Sequence, residues 1–212
     1  MPHINRKECL LQINTCKRSV RKETTSLLTD VLILNRLNDR KYYAKEVTLD
    51  YGTAHPKRVD VMEFFPNGVV FTSDIEKGIF ICYEIKSCKE DIYSGNGLNF
   101  YGEENYIVTT MKTWKDIQED YRSGILQAYI KNHYPESSLK FGILVAVPSD
   151  IDLRNSNSVF SEFEKPSKFQ GNAENWKLWK AIPCHQGGRN RSTAELLFCM
   201  LRSKHSYINQ NK

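Results

Sequence analysis

Ile79-Phe80-Ile81-Cys82-Tyr83-Glu84-Ile85-Lys86 is an apolar run that ends on a carboxylate and an ammonium two residues apart. Read as a β-strand, it sends Glu84 and Lys86 to one face and Ile85 into the opposite core, because strand side chains alternate. Upstream, Arg58-Val59-Asp60-Val61-Met62-Glu63 reads as the preceding strand of the same hairpin. Antiparallel pairing of the two then brings the Asp60 carboxylate next to that of Glu84. Two carboxylates so placed repel unless a cation sits between them, and oxygen-only ligation suits Mg²⁺ or Mn²⁺ better than zinc. The Lys86 ammonium is then placed to orient or help deprotonate a metal-bound water. By strand parity Glu63 falls on the face opposite Asp60 and is not expected to be a ligand.

Working outward from this hairpin, Tyr42 to Tyr51 reads as the first strand of a three-stranded meander, with turn material at 52–56 and 66–68. Before it, Val20, Thr24, Leu27, Leu28, Val31, Leu34 and Leu37 follow helical spacing, and Asn38-Asp39 closes that helix. After it, Ser94-Gly95-Asn96-Gly97 marks a loop, 105–109 a short strand, and 114–133 a helical stretch interrupted near Ser123-Gly124. Residues 141–147 form another apolar strand and 176–183 an edge strand. Residues 191–203 form a helix with Ala194, Leu197, Phe198 and Leu201 on one face. The pattern predicts an α/β fold, one domain with a mixed β-sheet and flanking helices. Its expected organisation is a basic lead-in at 1–19, a domain over 20–205 with an inserted loop at 148–175, and a polar tail at 206–212.

The 212 residues are 40% hydrophobic and 26% charged, which excludes collagen-like and disulfide-dense classes. No apolar stretch approaches the roughly 20 residues that cross a bilayer. The first 22 residues carry no apolar signal region, so the expectation is a cytoplasmic chain with no membrane partner. Six cysteines without a CxxC pair predict free thiols. The net charge of +5 is unevenly spread. Residues 1–41 hold 9 basic and 4 acidic side chains, residues 176–212 hold 7 and 1, and the middle holds 14 and 20. Basic ends around an acidic centre fit a polyanion-binding protein whose centre holds carboxylates for a metal. That reading expects both ends to border the Asp60–Glu84 site. No P-loop is present, and Cys184, His185, Cys199 and His205 lack the spacing of a zinc clamp. Trp114, Trp176 and Trp179 are expected to pack rather than to stack on bases.

Asp60 followed by Glu84-Ile85-Lys86 resembles the PD-(D/E)xK nuclease superfamily, with Val59 standing where a Pro completes the motif's name. The stretches 81–91 and 97–108 look like its MmcB-like branch, small bacterial or phage proteins associated with DNA repair. The resemblance implies a restriction-endonuclease-like core, in the order αβββαβ. It also implies a DNA-directed phosphodiester hydrolase in which Asp60, Glu84 and the Ile85 carbonyl hold Mg²⁺ or Mn²⁺ and Lys86 positions the water. A further carboxylate from the first helix is a feature of many members. Glu23 is its candidate here, with Glu46 on the first strand as rival.

For binding DNA, the candidates are Arg58, which shares a face with Asp60; Asn99 and Tyr101, in the loop after the Glu84 strand; and Arg189 and Arg191, beside Gly187-Gly188 before the last helix. Each has a structural alternative: a salt bridge from Arg58 to Glu84 or Asp60, closure of the fold by Asn99 and Tyr101, and an exposed helix start for the two arginines. The expected activity is Mg²⁺-dependent deoxyribonuclease, alone, as a homodimer or with a protein partner. The alternative is an inactive nucleic-acid-binding or scaffold protein that keeps the fold.

Overall fold

The computed structural model describes residues 6–39, 42–68, 71–203 and 205–208. Helix α1 (Arg6–Leu32) opens the chain and ends in a π-helical turn, Ile33–Leu37. Strands β1 (Tyr42–Leu49), β2 (Lys57–Phe65) and β3 (Ile79–Lys86) form an antiparallel meander, with the short helix α2 (Thr72–Glu76) before β3. Helix α3 (Lys89–Ile92) leads to β4 (Glu104–Thr110), which runs parallel to β3. Helices α4 (Met111–Arg122) and α5 (Ile125–His133) cross over to β5 (Gly142–Pro148), parallel to β4. Helix α6 (Ser156–Glu164) and a 3₁₀ turn, Ala173–Asn175, precede β6 (Trp176–Ile182), antiparallel to β5. Helix α7 (Thr193–Arg202) and a short strand β7 (His205–Ile208) complete the described chain. The six main strands lie in the order β6-β5-β4-β3-β2-β1, and β7 extends the sheet at the β1 edge.

The expected α/β architecture with a mixed sheet is therefore what the chain adopts. Its central strand β3 is apolar almost throughout because both of its faces are covered, the condition under which a strand loses its polar alternation. On one face Leu28, Val31 and Leu32 of α1 pack against Tyr83, Ile85, Val108 and Leu144. On the other, Leu196, Cys199 and Met200 of α7 cover Met62, Phe80 and Cys82, while Trp114, Ile117, Leu126 and Ile130 of α4 and α5 cover Ile107, Ile143 and Val145. Each fully buried side chain of this kind contributes about 1.5–3 kcal/mol of transfer free energy. Glu63 lies on the α1 face and accepts from the Tyr83 hydroxyl at 2.8 Å. No helix among the described residues is long and apolar enough to cross a membrane.

Four readings of the sequence need correction. The lead-in is helical from Arg6, since neither Gly nor Pro interrupts the stretch from there to Leu32; residues 1–5 lie outside the described ones. The buried face of α7 is Leu196, Cys199 and Met200, whereas Phe198 and Leu201 are exposed. An i, i+3, i+4 spacing serves either face, and the Arg202 guanidinium lies 5.5 Å from the centre of the Phe198 ring on the outer side. The stretch 148–175 is not a bare loop, because it contains α6, whose Asn155 N-cap accepts from the Asn157 N–H. The tail at 206–212 starts inside β7; residues 209–212 lie outside the described ones. The break in the long helical stretch falls at Ser123-Gly124, where Gly124 adopts φ +81°.

Candidate functional site

The β2–β3 ladder ends at Val61 opposite Tyr83, and one residue beyond stand Asp60 and Glu84. The hairpin register alone thus brings the two carboxylates to the same end of the sheet. Asp60 Oδ2 accepts from the Ile85 N–H at 2.8 Å, which locks it across the strands. Glu84 is fully buried. Its Oε1 accepts from the Asn99 N–H at 3.2 Å, while Oε2, also buried, has no hydrogen-bond partner. Lys86 is nearly buried as well, with Nζ 2.9 Å from the Asn96 carbonyl, to which it donates, and 3.8 Å from Glu84 Oε2.

An ionised carboxylate oxygen left bare in a protein interior is costly, so the proton or a cation must compensate. Burial, reinforced by repulsion from Asp60, pushes the Glu84 carboxyl well above the ordinary carboxylate range, and Lys86 pulls it back only in part. Burial also raises the Asp60 carboxyl, against the opposing pull of Lys86, the Ile85 N–H and Arg58. The pair is thus short of positive charge. A divalent cation fits this donor set: Mg²⁺ and Mn²⁺ take oxygen ligands, and Mg²⁺ commonly uses one or two carboxylates and keeps several waters. Among the described residues no cluster of three or more His, Cys, Asp or Glu side chains gathers at metal-holding spacing. The fit therefore rests on two carboxylates.

Asp60, Ile85 and Lys86 line a cleft of 630 Å³, together with Arg58, Asn99 and Gly97. Glu84 sits one layer behind this wall. A Cβ placed on Gly97 would come within 2.4 Å of Lys86 Nζ and 2.6 Å of Glu84 Oε2. Gly97, at φ +84°, is thus the one residue type that allows the loop to lie directly over both charged groups. In the sequence Gly97 reads as part of a loop, and the Gly95-Asn96-Gly97 spacing soon after the Glu-x-Lys strand is the signal for its role.

The other candidates divide. Arg58 lines the cleft, but its ion pair is with Glu46, at 3.9 Å, rather than with Asp60 or Glu84. Asn99 also lines it and is buried, and its amide donates to the Arg58 carbonyl at 2.7 Å, so it braces β2 while holding Glu84. Tyr101 is buried under α7 in the β1–β3 core and donates to Glu136 Oε2 at 3.4 Å. Arg189 donates to Glu103 at 2.7 Å, to the Gly78 carbonyl and to Thr193. Arg191 donates to Asp50 at 3.0 and 3.1 Å, to Glu195 at 2.9 Å and to Glu136 at 3.2 Å. Neither arginine lines the cleft.

Glu23 is exposed on α1 and accepts from the Ser19 hydroxyl at 3.0 Å, and Glu46 adopts φ +52° within β1. Neither lines the cleft, whereas Asp91 does, holding the Ser87 N–H at 3.2 Å. The carboxylate that joins Asp60 there thus comes from α3, a short helix that was not legible beforehand. The charge expectation also fails in part. Among the described residues, the lining cations Lys57, Arg58 and Lys86 all belong to the acidic middle of the chain, and the basic ends contribute only Thr25. Compared with known proteins, the chain matches no protein-family model, no curated protein and no solved structure.

Proposed function

We propose that this chain is a metal-dependent nuclease of the PD-(D/E)xK type, hydrolysing phosphodiester bonds of DNA with Mg²⁺ or Mn²⁺. The observation that carries the reading is the buried Glu84 Oε2, without a hydrogen bond, beside Asp60 and 3.8 Å from Lys86 Nζ, one layer behind the wall of a polar cleft. A helix, three antiparallel strands and a parallel fourth around this site support the comparison with a restriction-endonuclease-like core. Asp60 and Glu84, with the Ile85 carbonyl, would hold the cation. When bound, it neutralises the carboxylate pair and stabilises charge developing on a phosphate oxygen. The chain's own groups supply the rest. The Ile85 N–H fixes Asp60, and the Asn99 N–H fixes Glu84 through its other oxygen. An ammonium has three donors, and Lys86 spends one on the Asn96 carbonyl. Another is left to orient an attacking water toward a phosphate in the cleft. Arg58, exposed and only loosely paired, supplies attraction for the nucleic-acid backbone.

A second reading, a nucleic-acid-binding module that keeps the fold without turnover, is favoured by one observation. Gly97 covers Glu84, and no third carboxylate closes the ligand set among the described residues. Incubation of the purified chain with single-stranded, nicked and duplex DNA and Mn²⁺ or Mg²⁺ separates the two. Cleavage that is lost in both Glu84→Gln and Lys86→Ala supports the nuclease. Binding without cleavage under every metal supports the module.

A further inference from the structure

The cleft does not end at Asn99. Lys57, Asn99 and Tyr134 line it and also line a second cavity of 350 Å³, so the three side chains form a sill shared by the two spaces. Two features of this sill are unexplained by folding. Tyr134 is 7% exposed, and its hydroxyl is buried without a hydrogen-bond partner. The ring of Tyr129 packs against it with centroids 6.3 Å apart, and the Tyr129 hydroxyl accepts from the Gly95 N–H at 3.0 Å. A buried donor left without an acceptor costs about 1–3 kcal/mol. Phenylalanine would fill the same ring volume without that cost.

Lys57 is the second feature. It forms no ion pair and no side-chain hydrogen bond among the described residues. The carboxylates of the second cavity do not compensate it, because Asp50 and Glu136 are both engaged by Arg191, at 3.0 and 3.2 Å. A lysine without an ion pair and a tyrosine hydroxyl without a hydrogen bond thus belong to the wall common to both spaces, and both can donate. Phosphate oxygens are acceptors only, and they carry the charge that Lys57 lacks.

We infer that this sill is a phosphate subsite: Lys57 and Tyr134 hold the phosphate next to the scissile one, and the second cavity receives the nucleoside that follows it. The inference rests on reading the main cleft as a phosphodiester site, and it specifies the substrate class of that site as a strand that continues past the cut. A substrate spanning the sill would engage two phosphates at once, so a mononucleotide should bind far more weakly than a dinucleotide.

Binding of the 5′-phosphorylated thymidine dinucleotide pTpT and of thymidine 5′-monophosphate, measured by calorimetry in metal-free buffer, tests it independently of turnover. The expected result is that the wild type prefers pTpT, that Tyr134→Phe and Lys57→Ala each weaken pTpT about 5- to 10-fold, and that Tyr134→Phe melts at the same or a higher temperature than the wild type. Equal pTpT affinity in Tyr134→Phe and wild type, or no pTpT binding by the wild type, overturns the subsite. A wild type that cleaves no DNA with Mn²⁺ while the variants still lose pTpT removes the nuclease reading and leaves the subsite standing. Intact cleavage with an unchanged KM for a long strand in Tyr134→Phe removes the subsite alone.

Discussion

Two groups of charged side chains in this molecule are built on opposite lines. Before α7, Arg191 donates to three carboxylates and lies over the Tyr101 ring, and Arg189 donates to Glu103, the Gly78 carbonyl and Thr193 while lying over Phe80. Around Glu84 one carboxylate oxygen has no hydrogen bond, two acids repel, and the neighbouring lysine donates to one backbone carbonyl while lying 3.8 Å from that oxygen. The first group joins the loop before α7 to the ends of β1 and α5, and its donors are largely spent. The second leaves a group unsatisfied directly behind the wall of a cleft. In a molecule of this size saturation marks architecture, and want of a partner marks a site, because folding alone selects against the latter.

The contrast is broken most sharply by Glu84→Gln, which keeps shape and removes charge. If the cleft is functional, cleavage falls by about 100-fold or more, on the scale of a lost catalytic group, while the melting temperature holds or rises because a neutral amide carries no charge to bury. A melting point that falls by many degrees with activity retained would place Glu84 with the structural group. Gly97→Ala comes next. Its methyl would meet Lys86 Nζ and Glu84 Oε2 in a left-handed backbone conformation that costs a non-glycine residue about 1–2 kcal/mol. Stability and Mn²⁺ affinity should drop together, readable as a lower Tm and a smaller Mn²⁺-induced shift.

Arg191→Ala is the mirror experiment. Its pairs are about a fifth exposed on the arginine side, so screening reduces their worth, and a loss of about 1–2 kcal/mol in urea unfolding is expected with kcat per folded molecule unchanged. A pH series sharpens the other side. The Glu84 carboxyl is raised from 4.5 to about 8 by burial and then by Asp60, so the folded state holds a proton that the unfolded chain releases. Its contribution is complete below 4.5 and is lost as the pH climbs through about 8. The metal-free protein should therefore lose stability over that window, Glu84→Gln should not show this slope, and Mn²⁺ should restore more Tm at the upper end than at the lower. The smallest effect on stability is Arg58→Ala: an exposed pair at 3.9 Å contributes about 0–1 kcal/mol, so the Tm should hold while DNA binding weakens and becomes less salt-dependent.

How far the sequence disclosed this arrangement depends on separation along the chain. Apolar alternation located β3, and strand parity brought Glu84 and Lys86 to one face and set Glu63 apart from Asp60 on the other, because these are properties of neighbouring residues. The hairpin carried that legibility to Asp60. The partners of Arg189 and Arg191 were not legible: Asp50, Glu103 and Glu136 come from distant segments that only the finished fold assembles, so guanidinium groups beside two glycines looked free for phosphate. The face of α7 failed because Leu197, Phe198 and Leu201 are as apolar as the residues it buries. The cover over Glu84 escaped because a glycine's role there depends on what lies beneath it. Tyr134 escaped because nothing in a sequence distinguishes a phenol without a partner from a satisfied one.

The pairing of β2 with β3 has a consequence in time as well as in space. Asp60 and Glu84 meet as soon as those two strands zip together, so their mutual repulsion opposes an early, local event of assembly rather than the last adjustment of a finished cleft. A cation that neutralises the pair should then act on folding speed. If the hairpin is formed in the rate-limiting ensemble, Mn²⁺ speeds refolding; if it forms later, the same stabilisation appears as slower unfolding. Stopped-flow traces with and without the ion would date the birth of the cleft.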